Sequence, residues 1–308
     1  MGDARTAQLS TRDARVRYDL LAVDLDGTLL DSRGNVSAEN AAAIARARGA
    51  GLAVAVCTGR SLVECRHVLE EIRQLDPVVV AGGSIIACPR TSRTLHRFGV
   101  DRELVAGLTR SLLAHRHPVR ILKDPLEAGF DYLVVVGEER LSLDPVTRWW
   151  FEKLRVRVRI IERLSDDPHP KHTVRVGACG AATAMARIKG EVLADLGDRV
   201  LMHHFPAVVA PQHVRTDGES LHVLEIFSRE ATKWTAVRVL AERIGVAPER
   251  IAAIGDEIND VPMIRGAGLG IAMGNAIRDV HDAAGRRTLH HDEHGVAHAI
   301  DNILSGAW

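Results

Sequence analysis

Two short acidic segments, far apart in the chain, carry residues that could act on a phosphate. They are Asp24-Leu25-Asp26-Gly27-Thr28 and Asp256-Glu257-Ile258-Asn259-Asp260. Each follows an apolar run, Leu20 to Val23 before the first and Ile251 to Ile254 before the second, where only Gly255 intervenes. A buried strand that ends at a turn delivers the carboxylates after it to the edge of the sheet rather than to its core. Asp24 and Asp26 stand at alternate positions, which share a face on extended backbone. Two carboxylates a few ångströms apart repel by about 4 kcal/mol at intermediate screening, so the pair asks for a cation or a shared proton. An all-oxygen ligand set suits Mg²⁺, which keeps several waters and binds through one or two carboxylates plus a substrate phosphate.

Two further places could receive an anion. Thr58 offers a hydroxyl beside Gly59, where the backbone can approach an oxyanion closely before a helix begins. Lys233 starts another helix behind its cap Thr232, and an ammonium there can cancel phosphate charge from the side opposite the metal. Lys171 and Lys189 are the other lysines that could be put forward, but neither precedes the second acidic strand so directly.

The elements that must position these groups alternate regularly at the start of the chain. After the strand at 20–23 comes an alanine-rich helix over 38–48, capped by Ser37 and stopped by Gly49 and Gly51. A strand over 52–56, an amphipathic helix after Thr58-Gly59-Arg60 and a strand over 77–81 follow. This βαβαβ order predicts an α/β fold, a doubly wound, mostly parallel sheet with helices on both faces and its functional groups beyond the carboxyl ends of the strands. The same pattern returns with a helix over 233–244 and strands over 251–254 and 268–272. Between them the periodicity changes to alternating strands, among them 155–160 and 173–176, and a helix over 181–196. Alternation predicts sheets with one wet face, in a second α+β domain inserted into the first. The expected boundaries are a disordered tail over 1–17, a core made of 18–85 and 229–308, and an insertion over 86–228.

Composition narrows the partners. Lys plus Arg equals Asp plus Glu at 40 each, so no net field favours nucleic acid or a membrane surface, and an anionic substrate must be captured locally. No apolar run has the length of a membrane span and the first residues lack a secretory core, so the expectation is a cytoplasmic protein, monomer or homodimer. Cys57, Cys65, Cys88 and Cys179 lack metal or redox spacing and read as reduced thiols. His281, His290, His291, His294 and His298 read as a polar exposed segment rather than a structural zinc site, for which ligand count and geometry would have to close. Arg155, Arg157 and Arg159 alternate with apolar residues and read as a solvated basic face of a strand.

These motifs in this order resemble the haloacid dehalogenase superfamily of phosphohydrolases, from Asp24 to about Ile300, and within it the Cof-type subfamily. That subfamily carries a Rossmann-like core with a large α+β cap inserted between its second and third motifs, where residues 86–228 fall. The resemblance implies a Mg²⁺-dependent phosphatase acting on a small phosphate ester, with sugar phosphates first. It implies that Asp24 attacks phosphorus, that Asp26 protonates the leaving alcohol and then activates water, and that Thr58, Gly59 and Lys233 hold the phosphoryl oxygens. The Asp24 side chain, the Asp26 carbonyl and Asp256 would bind the metal, Asn259 would touch phosphate or a metal-bound water, and Asp260 would support the lysine. Two departures stand out. Ala81-Gly82-Gly83 replaces the family's Asn-Gly-Ala, and Trp234 follows the lysine where glycine is usual, which is expected to add bulk near the phosphate pocket. A phosphomutase would use the same aspartate with a sugar hydroxyl as acceptor. A non-catalytic phospho-ligand sensor is the remaining alternative.

Overall fold

The computed structural model describes residues 17–207 and 220–308; the tail expected over 1–17 lies, but for its last residue, outside them. In chain order the first elements are β1 (Leu20–Asp24), α1 (Ala38–Gly49), β2 (Ala53–Cys57), α2 (Leu62–Glu71), β3 (Val78–Val80) and β4 (Ile85–Ala87). Next come β5 (Thr94–Arg97), α3 (Arg102–Ala114), β6 (Val119–Lys123), α4 (Pro125–Ala128), β7 (Tyr132–Val135), α5 (Pro145–Lys153) and β8 (Val158–Ile161). They are followed by β9 (Thr173–Ala181), α6 (Ala182–Leu196), β10 (Val200–Pro206) and β11 (Leu221–Ser228). The chain closes with α7 (Lys233–Ile244), β12 (Ile251–Gly255), α8 (Val261–Gly266), β13 (Leu269–Ala272), α9 (Arg278–Ala283), β14 (Arg286–Arg287) and α10 (Gly295–Leu304). The chain divides into two compact units, residues 1–60, 65–91 and 232–308 in one and residues 61–64 and 92–231 in the other.

In the first unit the strands run in the order β14-β13-β12-β1-β2-β3-β4. All neighbours pair in parallel except β3 with β4, so the sheet is of the mixed, mostly parallel kind that the alternation predicts. Leu20 pairs with Ile251 and Val23 with Ile254, which brings the ends of β1 and β12 to the same level. All five residues of β1 and all five of β12 are buried, as strands covered by helices on both faces must be. The helices start where their caps permit: the Ser37 hydroxyl accepts from Asn40 N–H and the Thr232 hydroxyl from Thr235 N–H, each filling an orphan donor worth about 1 kcal/mol. Gly245, at φ +73°, ends α7 in the left-handed conformation that costs glycine least.

The second unit holds a sheet ordered β10-β11-β9-β6-β7-β8, antiparallel except for β7 with β8. Its apolar core joins Val119, Ile121, Val176 and Leu224 from the strands to Leu108, Leu112 and Ile188 from α3 and α6. The alternate strand positions are polar, as expected, but they are not wet. Arg120, Arg175 and Glu225 are buried, with Arg175 paired to Glu225 at 2.9 Å and also bonded to the Tyr132 hydroxyl, which donates to Glu64 at 3.0 Å. Burial stays affordable because each charge meets a partner. The basic face expected on 155–160 is corrected by the strand's position. β8 begins only at Val158, Arg155 lies before it at φ +52°, and Arg157 is tied to Asp131 through its backbone N–H and its guanidinium, so the three arginines do not share one strand face. Cys57, Cys65 and Cys179 are buried and Cys88 is half-buried, all four as reduced cysteines outside any disulfide.

Candidate active site

β1 ends at Asp24 and the chain turns at once through Leu25–Leu29, with Gly27 at φ +75°. Gly27 is required twice over: a side chain would be strained at that φ, and a Cβ would stand 2.3 Å from Asp256 Oδ2. The turn therefore lies against the residue that follows β12. Carboxylate oxygens of Asp24, Asp256 and Asp260 all fall within 4.8 Å of one another, so side chains more than 230 positions apart in sequence meet at the carboxyl edge of the sheet.

Lys233 occupies the centre of this cluster. It is 1% exposed, and its Nζ donates to Asp24 Oδ1 at 2.5 Å and Asp260 Oδ1 at 2.7 Å, with Asn259 Oδ1 at 3.4 Å. An unpaired buried ammonium would cost several kcal/mol, and the two carboxylates reverse that: although burial opposes its charge, Asp24 and Asp260 hold the lysine above its ordinary pKa. The position of α7 follows from Gly83, at φ +105°, where a Cβ would stand 2.3 Å from the Thr232 carbonyl. The Ala81-Gly82-Gly83 segment thus trades a polar side chain for close backbone approach to the lysine's own cap. Trp234 does not add bulk beside Lys233 as expected. Its ring packs on Gly266, because consecutive helix residues point about 100° apart.

The carboxylates divide their tasks by what already binds them. Asp260 Oδ2 accepts from the backbone N–H groups of Asp256 and Glu257, both at 3.0 Å, and its Oδ1 takes Lys233, so both oxygens are engaged within the protein. Asp256 Oδ1 accepts from Thr28 Oγ1 at 2.7 Å, and Asn275 Nδ2 donates to Gly27 O at 2.8 Å and reaches Asp256 Oδ2 at 3.5 Å. Burial, with Asp260 and Asp256 as like charges nearby, pushes the Asp24 carboxyl well above its usual range despite Lys233. Burial likewise pushes Asp256 up to about 6, against the Thr28 hydrogen bond. With all three aspartates ionised, one lysine leaves a net charge of about −2 in a dry pocket. That deficit and the hard oxygen donors fit one divalent cation, for which Asp24 and Asp256 retain coordination capacity and Asp260 does not.

Asp26 stands apart from the buried group. Its side chain is about half exposed and is held by Arg60 in a two-pronged pair, Nη2 to Oδ1 at 2.5 Å and Nε to Oδ2 at 3.0 Å. Thr58 is fully buried after β2, with its N–H on Val79 O and its Oγ1 accepting from Arg60 N–H at 3.1 Å, which leaves the hydroxyl proton to donate. Gly59 leaves open space on its Cβ side. Thr28, Arg60 and Asn275 are the site residues that the motif reading passed over. Thr28 and Arg60 lie inside segments that the motif reading singles out and Asn275 lies outside them; the missing signal is their pairing, which no single segment contains.

A mostly parallel α/β core with paired aspartates and a buried lysine at the carboxyl edge of its sheet defines a class of hydrolase that works through strand-end carboxylates. Residues 21–300 match the haloacid dehalogenase-like hydrolase family, and the chain belongs to it. Phosphatase YwpJ of Bacillus subtilis (strain 168) is 27% identical over 293 residues, covering 92% of this chain and 99% of YwpJ. The 5-amino-6-(5-phospho-D-ribitylamino)uracil phosphatase YwtE of the same organism is 29% identical over 301 residues, covering 94% and 99%. The crystal structure of a haloacid dehalogenase-like hydrolase from Bacteroides thetaiotaomicron superposes with a TM-score of 0.73 at 26% identity, covering 93% of this chain and 99% of that one. Among the described residues no helix is long and apolar enough to cross a membrane.

Proposed function

We propose that this enzyme hydrolyses a small phosphate monoester through a phosphorylated Asp24, with Mg²⁺ as its cation. The observation that carries the reading is the buried Lys233 ammonium fixed between Asp24 and Asp260 while Asp256 lies within 4.8 Å of both carboxylates. Lys233 binds Asp24 through Oδ1, and Oδ2 is the oxygen offered to phosphorus. Its lone pair forms the new P–O bond as the bond to the leaving alcohol breaks, and Asp26 gives that oxygen a proton. Asp26 then takes a proton from water, whose oxygen attacks the aspartyl phosphate, so inorganic phosphate departs and Asp24 is regenerated. Lys233, Thr58 Oγ1 and the backbone at Gly59 hold the phosphoryl oxygens, Asn259 sits beside the lysine to orient them, and Asp260 positions Lys233. Bound to Asp24, the Asp26 carbonyl and Asp256, Mg²⁺ would neutralise charge on the transferring group.

Asp26 must leave Arg60 to act, and its exposure allows a rotamer change. The inserted unit is the part proposed to select the leaving group, as the resemblance to capped phosphatases suggests. Relatives such as YwtE, named for a phosphorylated ribityl compound, support phosphorylated sugars and sugar alcohols as the first class to assay. The test is phosphate release from a panel of phosphorylated metabolites with and without Mg²⁺, alongside Asp24→Asn. Many turnovers per chain, lost in the variant and in chelator, are expected. Undiminished turnover in the variant would sink the proposal.

A further inference from the structure

The short helical turn His291–Glu293, preceded by its cap His290, brings together a second group of metal-binding atoms, apart from the aspartates of the active site. One donor atom from each of His290, His291 and Asp292 lies within 4.8 Å of the others. Asp292 Oδ2 stands 3.6 Å from His290 Nδ1 and 3.5 Å from His291 Nε2, and the two imidazoles are tilted together with ring centres 4.2 Å apart. A tetrahedral ion with bonds of about 2.1 Å separates its ligands by about 3.4 Å, so both carboxylate-to-imidazole edges are already near the required length.

The donors are also prepared in chemical state and orientation. Asp292 N–H donates to His290 Nδ1 at 3.2 Å, at the long end of the range, so this nitrogen is the unprotonated one, and an ion would take its lone pair in exchange for that weak bond. Ser32 N–H holds Asp292 Oδ1 at 2.8 Å, which leaves Oδ2 turned to the rings. His291 turns Nε2 toward Asp292 Oδ2, and its Nδ1 is buried without a hydrogen-bond partner. The backbone is pinned as well: His291 N–H donates to Asn275 Oδ1 at 3.0 Å and His290 N–H to Glu293 Oε2 at 3.3 Å. Outer partners of this sort orient ligands before the ion arrives.

The geometry points to an exchangeable binding site for a divalent transition ion of the zinc type, held by His290, His291 and Asp292 with an open fourth position. Two imidazoles and one carboxylate favour such an ion over Mg²⁺, whose preferred ligands are oxygens. With three protein donors at a half-exposed turn the site is not a closed structural one. Asn275 binds the His291 backbone through one end of its amide and the catalytic turn at Gly27 through the other, so an ion here sits one residue removed from the active-site shell.

Equilibrium dialysis of the full chain against Zn²⁺ in excess Mg²⁺ tests this, with Co²⁺ absorption as an independent readout. One zinc per chain with low-micromolar affinity is expected in the wild type and in Asp256→Asn, together with the strong visible band of tetrahedral Co²⁺. Affinity should fall about tenfold or more in His291→Gln and in Asp292→Asn, the latter an exposed change that leaves the fold intact. Zinc uptake unchanged in both variants, lost in Asp256→Asn, or absent from the wild type would overturn the assignment.

Discussion

Replacing Asp256 by asparagine should make the metal-free protein more stable while removing its activity. Asp256 lies 8% exposed among like charges, and its carboxyl is pushed from an ordinary 3.8 to about 6. Above both values, ionising it in the folded protein therefore costs about 3 kcal/mol more than in the unfolded chain, at 1.36 kcal/mol per unit of the shift. The folded state binds this proton more tightly than the unfolded one, so Asp256's contribution to stability is complete below 3.8 and is lost as the pH rises through about 6. The amide keeps an oxygen for the Thr28 hydroxyl and carries no charge to desolvate. In chelator at neutral pH, the transition of the unit containing Asp256 should rise by several degrees, at about 2–4 °C per kcal/mol for a chain of comparable size. Mg²⁺ at about 1,000 times its dissociation constant should reverse the ranking, since it then adds about 4.1 kcal/mol to the protein that binds it. The assay is thermal unfolding of both proteins, with and without Mg²⁺, from about pH 4 to neutrality. If Asp256→Asn melts no higher than wild type in chelator, the pocket is not electrostatically strained and the case for a resident cation fails.

The remaining predictions concern single contacts. Lys233→Met leaves Asp24 and Asp260 facing each other without their ammonium, so stability should fall by about 3–5 kcal/mol in denaturant titration and phosphate release should vanish. Thr28→Val removes the hydrogen bond that holds the Asp256 carboxyl down; Mg²⁺ affinity measured by titration should weaken by about ten- to a hundredfold with the fold retained. Gly83→Ala pushes a methyl into the Thr232 carbonyl at a strained φ. A large loss of turnover with altered near-UV dichroism is expected, and wild-type kinetics would show that α7 is not seated by this glycine. Arg175→Met strands the buried Glu225 carboxylate, which burial already pushes up, so the second unit should lose several kcal/mol of stability, most of it recovered in Arg175→Met/Glu225→Leu.

Much of the core could be read along the chain because its signals are local. β1 and β12 are short apolar runs ended by aspartates, Ser37 and Thr232 cap the helices they precede, and the βαβαβ order implies a parallel sheet whatever the packing details. Strand ends set the level of Asp24 and Asp256, so the meeting of two distant acidic segments followed from pattern alone. Periodicity overreached at Arg155, because alternation marks a face only where the backbone is extended and that residue lies in a turn before β8.

What the tertiary structure decided was the state of each group. Asp24, Asp256 and Asp260 are the same residue type at similar strand ends, yet Asp260 spends both oxygens on Lys233 and two backbone N–H groups while Asp256 is left strained. Arg60 on Asp26, Thr28 on Asp256 and Asn275 on Gly27 are contacts across 34 to 248 positions of sequence. Residue type and spacing supply the inventory of carboxylates and the sheet edge that gathers them. Dielectric, partner and orientation, which decide whether a carboxylate binds metal, braces a lysine or transfers a proton, exist only once distant segments have packed around one another.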